Sequence, residues 1–355
     1  MLKKILKITL YIIIIGAITA LVTWVTWREK WPWWVGLCIL LGIFGIWVGI
    51  IFLKKYLLRR REKQFVRRVV ELDEAAIRTS PLHERQQLQD LQQHWKESVE
   101  MLRESYLRKR GNPLYVLPWY LVIGESGSGK TSAIRNTRLN SPIADITRTA
   151  AITATRNCDW WFFEEAAILD TAGRYTIPID EGPDKEEWEK FLVLLAKYRR
   201  REPINGVIIT MPADQLTDPD YIKLREDGQS IRKRIDQLMR TVGAKFPIYV
   251  LVTKMDKVHG FVEFSSHLPE EDSSQAMGYI NEGLNPHWQE VLTDSFEKIG
   301  DHLRSLRLIF IHKLKNLKPG VLIFPNEFAG LKPGLHEFVK AVFDENPYQE
   351  TPLFR

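Results

Sequence analysis

The chain has 355 residues, of which 45% are hydrophobic and 26% charged, and this composition excludes a disordered tail and a small disulfide-stabilised protein. Its formal net charge is +6, from 50 lysine and arginine residues against 44 aspartate and glutamate residues. Residues 1–70 hold 13 basic and 2 acidic side chains, a local charge of +11 that leaves −5 for the other 285 residues. Because the positive charge is confined to the N-terminal part, the composition argues against a nucleic-acid-binding protein.

Two apolar segments within residues 1–53 predict a transmembrane hairpin. They run from about 5 to 27 and from about 33 to 53, and each is long enough to cross a bilayer as a helix. A cleaved signal peptide is the alternative, but the first segment is too long for one and is followed by a second span. Basic residues flank the outer ends of the hairpin more heavily than its loop, so we expect both termini of the chain in the cytoplasm.

Residues 54–111 are polar and predict a cytoplasmic linker of two helices, about 54–78 and 81–109. The second helix carries one apolar stripe at three- and four-residue spacing, formed by Leu88, Leu91, Trp95, Val99, Leu102 and Tyr106. We expect this stripe to pack on the domain that follows. In that domain Trp160 and Trp161 are adjacent in a predicted strand and face opposite sides, so one is expected in the core and the other against the linker.

A short apolar strand, Tyr120–Ile123, leads directly into a full match to the GxxxxGK[ST] phosphate-binding loop. The matching residues are Gly124, Glu125, Ser126, Gly127, Ser128, Gly129, Lys130 and Thr131, and Ser132 follows them in a predicted helix. The glycines allow consecutive N–H groups to point at phosphate oxygens, and the helix adds the positive end of its dipole. Lys130 would neutralise the β- and γ-phosphates, and Thr131 would ligate Mg²⁺. A glycine-rich turn that binds nothing is the alternative.

Residues 158–169 predict a β-hairpin or two short strands that end at a DxxG sequence, the pattern of GTP-binding switch proteins. Its first residue, Asp170, follows an apolar strand and would hold Mg²⁺ through water, and the amide of its last residue, Gly173, would contact the γ-phosphate. Several threonines lie between residues 141 and 158. Among them we favour Thr155 as the catalytic switch residue that ligates Mg²⁺, because it immediately precedes the strand.

Two further apolar strands are predicted at Gly206–Met211 and at residues 247–252. The second ends at Thr253, Lys254 and Asp256 of the sequence TKMD, which is the TKxD form of the guanine-recognition motif. Asp256 would accept two hydrogen bonds from the guanine N1–H and 2-amino groups, which adenine does not supply. The Lys254 stem would lie against the base or ribose. A surface turn after a buried strand is the alternative.

In this order, the strand, phosphate loop, DTAG sequence, apolar strand and TKxD resemble the G domains of small GTPases. The resemblance implies an α/β P-loop NTPase domain at 112–355 with a helical insertion at about 258–318. Residues Val321–Phe324 predict its final strand, which would lead into residues 325–328, where G domains place a base-contacting loop. The implied cofactors are GTP and Mg²⁺, and ATP remains open because TKxD is the weaker variant of its motif.

A second resemblance covers essentially the whole chain. The segments that carry it are PWYLVIGESGSGKTS, TRNCDWWF, DTAGRY, INGVIIT, YVLVTKMD with GFVEF after it, and IFPNEFAGLKPGL, all behind a two-span anchor. They resemble the N-terminal half of the IcmF/TssM family, which are inner-membrane components of the type VI secretion system. This implies an assembly in a bacterial inner membrane, with TssL-family, TssJ-family and baseplate proteins as partners and a homo-oligomer within the complex. Family members usually continue into a third span and a periplasmic domain, and no apolar run of spanning length follows residue 53 here, so the TssJ contact stays open.

Arg174 follows DTAG where many switch GTPases carry the glutamine that positions the attacking water, so we predict slow intrinsic hydrolysis. Arg148 and Arg156 are candidates for an arginine finger in cis, with solvated loop charges as the alternative. The favoured function is a membrane-anchored secretion scaffold whose GTP-bound state changes its contacts. The alternatives are a signal-recognition-particle-receptor-like membrane GTPase, which also combines DTAGR with TKxD, an ATP-hydrolysing transport energiser, and a tether that needs no nucleotide.

Overall fold

In the part of the chain that this computed structural model describes, six strands form one mixed β-sheet, with helices packed around it in an α/β fold. The strands are β1 (Trp119–Ile123), β2 (Cys158–Phe162), β3 (Ala167–Thr171), β4 (Gly206–Pro212), β5 (Pro247–Thr253) and β6 (Leu353–Phe354). They lie in the order β2-β3-β1-β4-β5-β6, with β2 antiparallel to β3 and every other neighbouring pair parallel. The inner strands β1, β3 and β4 are buried along nearly their whole length, as continuous apolar runs in parallel sheets usually are.

The structure describes residues 82–105, 107, 111–137, 139–140, 158–175, 183–199, 201–269, 276–346 and 350–355, together with single positions between 24 and 45. The helices in these ranges are α1 (Leu82–Glu104), α2 (Pro113–Val116), α3 (Lys130–Arg135), α4 (Pro183–Tyr198), α5 (Ala213–Leu216), α6 (Tyr221–Val242), α7 (Phe261–Ser265), α8 (Trp288–Lys313), α9 (Pro319–Gly330) and α10 (Lys332–Phe343). The predicted helical insertion at about 258–318 holds α7 and α8.

Helix α1 packs on the sheet domain through its apolar stripe, in which Leu91, Trp95, Val99 and Leu102 are all buried. The ring of Trp95 meets Trp160 of β2 edge to face at a centroid distance of 4.7 Å, and it lies 6.4 Å from Trp119 of β1. On the opposite side of β2, Trp161 belongs to a separate buried cluster that includes Val122 and Ile134. The adjacent tryptophans therefore face the linker and the core, as their alternation in a strand predicts.

The strand predicted at Val321–Phe324 is wrong, because these residues lie in helix α9. The helix begins where proline stands at the first helical position, and Val321, Phe324 and Phe328 are buried at helical spacing. Residues 325–328, predicted as a base-contacting loop, continue the same helix. The sixth strand is the two-residue β6, which pairs with the first residues of β5.

The chain divides into two compact units, residues 1–76 and 77–355. The predicted spans, about 5–27 and 33–53, and the first linker helix, about 54–78, lie outside the described residues apart from the single positions between 24 and 45. Among the helices that the structure describes, none combines the length and the apolar character that a bilayer crossing requires.

Candidate nucleotide-binding site

The predicted phosphate loop connects the end of β1 to the start of α3, at the carboxyl edge of the sheet. Strand β1 lies between β3 and β4, where successive connections run to opposite sides, and such switch points are the usual ligand sites of open α/β sheets. Gly127 and Gly129 have φ angles of +75° and +87°, in the left-handed region that favours glycine. A Cβ on Gly124 would lie 2.0 Å from Thr210 Oγ1 of β4, so this position needs glycine because of a close approach.

The Lys130 ammonium group is buried inside the loop. Its Nζ donates hydrogen bonds to the carbonyl oxygens of Gly124 at 2.7 Å and Glu125 at 2.8 Å. Burial lowers the pKa of Lys130, and the nearby Asp170 and Glu125 carboxylates partly oppose this shift. A buried ammonium that donates to two carbonyl oxygens and lies near these carboxylates is well placed to exchange the carbonyls for anionic oxygens.

Thr131 and Asp170, two of the residues predicted to hold Mg²⁺, lie next to each other. Thr131 Oγ1 donates a hydrogen bond to Asp170 Oδ2 at 2.5 Å, although the residues are 39 positions apart in the chain. Asp170 is fully buried near the end of β3, where it pairs in register with Val122 of β1. A hydroxyl and a carboxylate fit Mg²⁺, which prefers oxygen ligands and usually keeps several waters. Ser132 is exposed in the first turn of α3.

Gly173 of the DTAG sequence lies directly against the phosphate loop. A Cβ on Gly173 would meet the backbone nitrogen of Ser126 at 2.2 Å and its Cα at 2.4 Å. The structure thus brings the predicted γ-phosphate contact and the phosphate loop together, backbone against backbone.

The side chain that follows, Arg174, makes an ion pair that the sequence did not predict. Its guanidinium donates to Glu187 Oε2 of α4 at 2.6 Å and lies 5.1 Å from the ring centre of Tyr175. The Glu187 carboxylate is 1% exposed, and burial together with this carboxylate raises the pKa of the Tyr175 hydroxyl far above its usual range. The one signal in the sequence is that Glu187 occupies the same helical face as the apolar Phe191 and Leu194.

The TKxD residues border the same loop. The buried Thr253 hydroxyl donates to the Ser128 carbonyl at 2.5 Å, and a Cβ on Gly129 would lie 3.4 Å from Thr253 Cβ. Lys254 takes a left-handed conformation with a φ of +54°, and Asp256 follows it with an exposed side chain. Thr253 therefore ties the TKxD turn to the phosphate loop, and Asp256 lies in the same turn.

Polar partners from β4, α5 and α6 complete the surroundings of the loop, and sequence reasoning missed them. Ser128 Oγ shares a hydrogen bond of 2.8 Å with Thr210 Oγ1. Glu125 Oε2 accepts a hydrogen bond from Gln215 Nε2 at 3.3 Å. Burial and the neighbouring Glu125 carboxylate raise the pKa of Asp227 on α6 to about 6. Only the fold brings these side chains to the loop, because 82 to 102 residues separate them in the chain.

The predicted switch threonine Thr155 and the candidate arginine fingers Arg148 and Arg156 lie outside the described residues. Their roles remain predictions.

The IcmF-related N-terminal domain family matches residues 181–355. The type VI secretion system component TssM1 of Pseudomonas aeruginosa is 37% identical over 297 residues, which cover 80% of this chain and 26% of that relative. The chain thus spans about a quarter of the relative's length. The signal recognition particle receptor SRb-GTP/SRX complex from Chaetomium thermophilum is similar over 40% of this chain and 71% of that chain, with 16% sequence identity and a TM-score of 0.27.

Proposed function

Because this chain belongs to the IcmF/TssM family of type VI secretion components, we propose that its sheet domain is a GTP–Mg²⁺ switch within a membrane-anchored secretion scaffold. The observation that carries the nucleotide part is the buried Lys130 ammonium, enclosed by the phosphate loop and near the Thr131–Asp170 pair. Gly173 of the DTAG turn adds a further contact for the phosphates, since its backbone lies against the phosphate loop at Ser126.

Lys130, Thr131 and Asp170 would each exchange a present hydrogen-bond partner for the nucleotide or its Mg²⁺. Lys130 Nζ would leave the carbonyl oxygens of Gly124 and Glu125 for the β- and γ-phosphate oxygens. The Thr131 hydroxyl would bind Mg²⁺ directly and the Asp170 carboxylate would hold one of its waters, in place of the hydrogen bond that they share. Bound Mg²⁺ would supply neutralisation of the phosphate charge.

Guanine selection falls to the exposed Asp256 carboxylate at the TKxD turn. Two hydrogen bonds to the guanine edge would discriminate against adenine, because the adenine ring would leave a polar group of the site without a partner. The contact between Thr253 and Ser128 fixes the distance between this turn and the phosphate loop. ATP binding is the alternative that the experiment below distinguishes.

We expect slow hydrolysis because Arg174 stands where many switch GTPases carry the glutamine that positions the attacking water. The guanidinium of Arg174 is held instead in an ion pair with the buried Glu187. A slow enzyme suits a conformational switch and argues against an ATP-hydrolysing transport energiser. Family membership favours the secretion scaffold over a signal-recognition-particle-receptor-like GTPase. The proposal also includes a two-span anchor at residues 1–53 in the inner membrane, with both termini in the cytoplasm. Its proposed partners are TssL-family, TssJ-family and baseplate proteins, and the chain would form a homo-oligomer within the complex.

The test is a titration of the full chain in lipid nanodiscs with fluorescent GTP and ATP analogues in the presence of Mg²⁺. We expect GTP to bind well above ATP, Lys130→Ala to abolish binding of both, and Asp256→Ala to remove the preference for GTP. Lys245→Ala is the matched control, because this lysine is exposed and its ion pair with Glu350 lies at the surface. If the folded chain binds neither nucleotide, the switch is refuted and the domain is a tether.

A further inference from the structure

Helix α8 changes character along its length on the side that faces away from the core. The exposed side chains of residues 288–302 are all polar: Gln289, Glu290, Asp294, Glu297, Lys298, Asp301 and His302. In the last turns of the helix Leu308, Ile309 and Ile311 are exposed, with 65%, 43% and 47% of their surface accessible. The inward face stays apolar throughout, since Leu303 and Phe310 are buried. The outer apolar residues are therefore additional to those that the fold needs.

The start of α9 adds to the same surface. Arg307 of α8 donates a hydrogen bond to the Leu322 carbonyl at 3.1 Å, which brings the first turns of α9 beside the second half of α8. Leu322 is 40% exposed at this point. An exposed apolar group of this kind, gathered from two helices, indicates an interaction site.

The charge of this region is opposite to that of its surroundings. Residues 302–326 contain five lysine and arginine residues and no aspartate or glutamate, although residues 71–355 as a whole carry a net charge of −5. The basic residues are Arg304, Arg307, Lys313, Lys315 and Lys318. All three lysines are exposed, and Arg304 is half exposed and pairs with Asp301 one turn before it, so the three lysines carry most of the positive charge of this surface. We call Leu308, Ile309, Ile311 and Leu322, with Arg304 and the three lysines, the basic apolar surface.

We propose that the basic apolar surface lies on an anionic phospholipid membrane, with its leucine and isoleucine side chains in the headgroup region and its lysines on lipid phosphates. Aliphatic side chains flanked by lysine and arginine are the composition of interfacial membrane segments. Protein interfaces are instead depleted of lysine and enriched in aromatic residues, and none of the exposed apolar residues of this surface is aromatic. The inference rests on the proposed two-span anchor, which would keep the domain at a membrane.

Depth-dependent fluorescence quenching tests this placement in the full chain. Cys38→Ser removes one of the two cysteines, and Cys158 stays because it is buried and burial raises the pKa of its thiol. Leu308→Cys then carries an environment-sensitive label, and the chain is placed in nanodiscs that contain phosphatidylglycerol and spin-labelled lipid. Val193→Cys is the matched control, since Val193 is 46% exposed on α4, outside the basic apolar surface.

We expect lipid quenching at position 308 and none at position 193. The quenching should weaken in nanodiscs of phosphatidylcholine alone and at high salt, because the attraction is partly electrostatic. Each basic side chain near an anionic surface changes membrane partition by roughly fivefold, so reversal of Lys313, Lys315 and Lys318 to glutamate should reduce the contact by about a hundredfold or more. An unchanged unfolding temperature of this triple variant would exclude misfolding as the cause.

Three results would overturn the inference. A label at position 308 that lipid does not quench, in a chain that remains in the nanodisc, refutes the membrane contact. If quenching in phosphatidylcholine nanodiscs, and quenching of the triple glutamate variant, both equal that of the parent chain with phosphatidylglycerol, the requirement for anionic lipid is refuted. Protection of the label from a water-soluble quencher without lipid quenching assigns the surface to a protein partner. A chain that leaves the nanodisc refutes the anchor, and nucleotide binding still tests the remaining proposed function.

Discussion

Gly173 and Ser126 lie so close together that a methyl group on Gly173 would stand 2.2 Å from the Ser126 backbone nitrogen. The two residues belong to the DTAG turn and the phosphate loop, so their contact couples the two proposed phosphate-binding segments. Neither neighbour is a flexible side chain, and the backbone itself must move to admit a larger residue.

Gly173→Ala is therefore expected to push the DTAG turn away from the phosphate loop. We expect a free energy of unfolding lower by about 1–3 kcal/mol, as for other overpacked sites, and GTP affinity lower by about tenfold or more. Urea denaturation and nucleotide titration measure the two effects. Gly330→Ala is the control, since nothing lies within 4 Å of its added Cβ, and it should leave GTP affinity unchanged and the free energy of unfolding equal or higher by up to about 1 kcal/mol. Wild-type behaviour of Gly173→Ala would mean that the contact is absent in solution.

The ion pair between Arg174 and the buried Glu187 predicts a strong coupling between the two residues. Arg174→Ala would leave a buried carboxylate without its cation, which we expect to cost about 2–4 kcal/mol of unfolding free energy. The double variant Arg174→Ala/Glu187→Gln should recover at least half of this loss, because the neutral amide no longer needs a cation. A double-mutant cycle by urea denaturation gives the coupling directly.

The exposed pair Arg225–Glu337, with a similar distance of 2.7 Å, is a matched control for this cycle. Its coupling should be below about 1 kcal/mol, since solvent screens surface ion pairs. Equal coupling for the two pairs would contradict the burial of Glu187.

The first part of the site was predictable because its signals are local. The loop from Gly124 to Thr131 is fixed by a short strand, its glycines and the helix that follows, all within about a dozen residues. The position of Thr253 was also predictable from a local signal, since this residue ends an apolar run. The pairing of Thr131 with Asp170 was expected from their roles, but the fold supplies the distance, because 39 residues separate them.

Other features depend on contacts that no local pattern reports. Four apolar residues at 321–324 do not distinguish a strand from a buried helix by periodicity, and Pro319 was the start signal that should have decided for the helix. Strand β6 has only two residues and forms because Ile248 and its neighbour in β5 offer an open edge. Glu187 and Asp227 come from helices distant in sequence, so their charges reach the site only through the tertiary packing.

The raised pKa of Asp227 predicts that the stability of the folded chain depends on pH. Burial first, and then the Glu125 carboxylate, raise its pKa from 3.8 to about 6 in the folded chain. The folded state therefore keeps this proton at pH values where the unfolded chain has lost it. The stabilising contribution is complete below about pH 4 and is lost as the pH rises through 6.

Asp227→Asn should remove this dependence, because the amide is neutral at every pH. We expect the variant to be more stable than the parent at pH 7.5 by about 1 kcal/mol, a value discounted for the partial exposure of the carboxyl group. The two chains should converge at pH 4. Urea denaturation between pH 4 and 7.5 measures the difference, and parallel curves for both chains would show that Asp227 titrates normally.

Trp95 of α1 predicts the strength of the contact between the linker helix and the sheet domain. Its side chain is fully buried and lies 5.6 Å, between ring centres, from both Phe191 and Tyr198 of α4. Trp95→Ala would leave a large cavity, and we expect a loss of about 3–5 kcal/mol, whereas Trp95→Phe should lose less because it keeps a ring in the site.

Helix α4 carries both this contact and Glu187, so the loss of Trp95 should also reach the DTAG turn. Hydrogen exchange of the full chain distinguishes local from global effects. We expect faster exchange in α1 and α4 of Trp95→Ala, with β4 and β5 still protected. Faster exchange in α1 alone would mean that the linker is an independent attachment and that α4 does not connect it to Arg174.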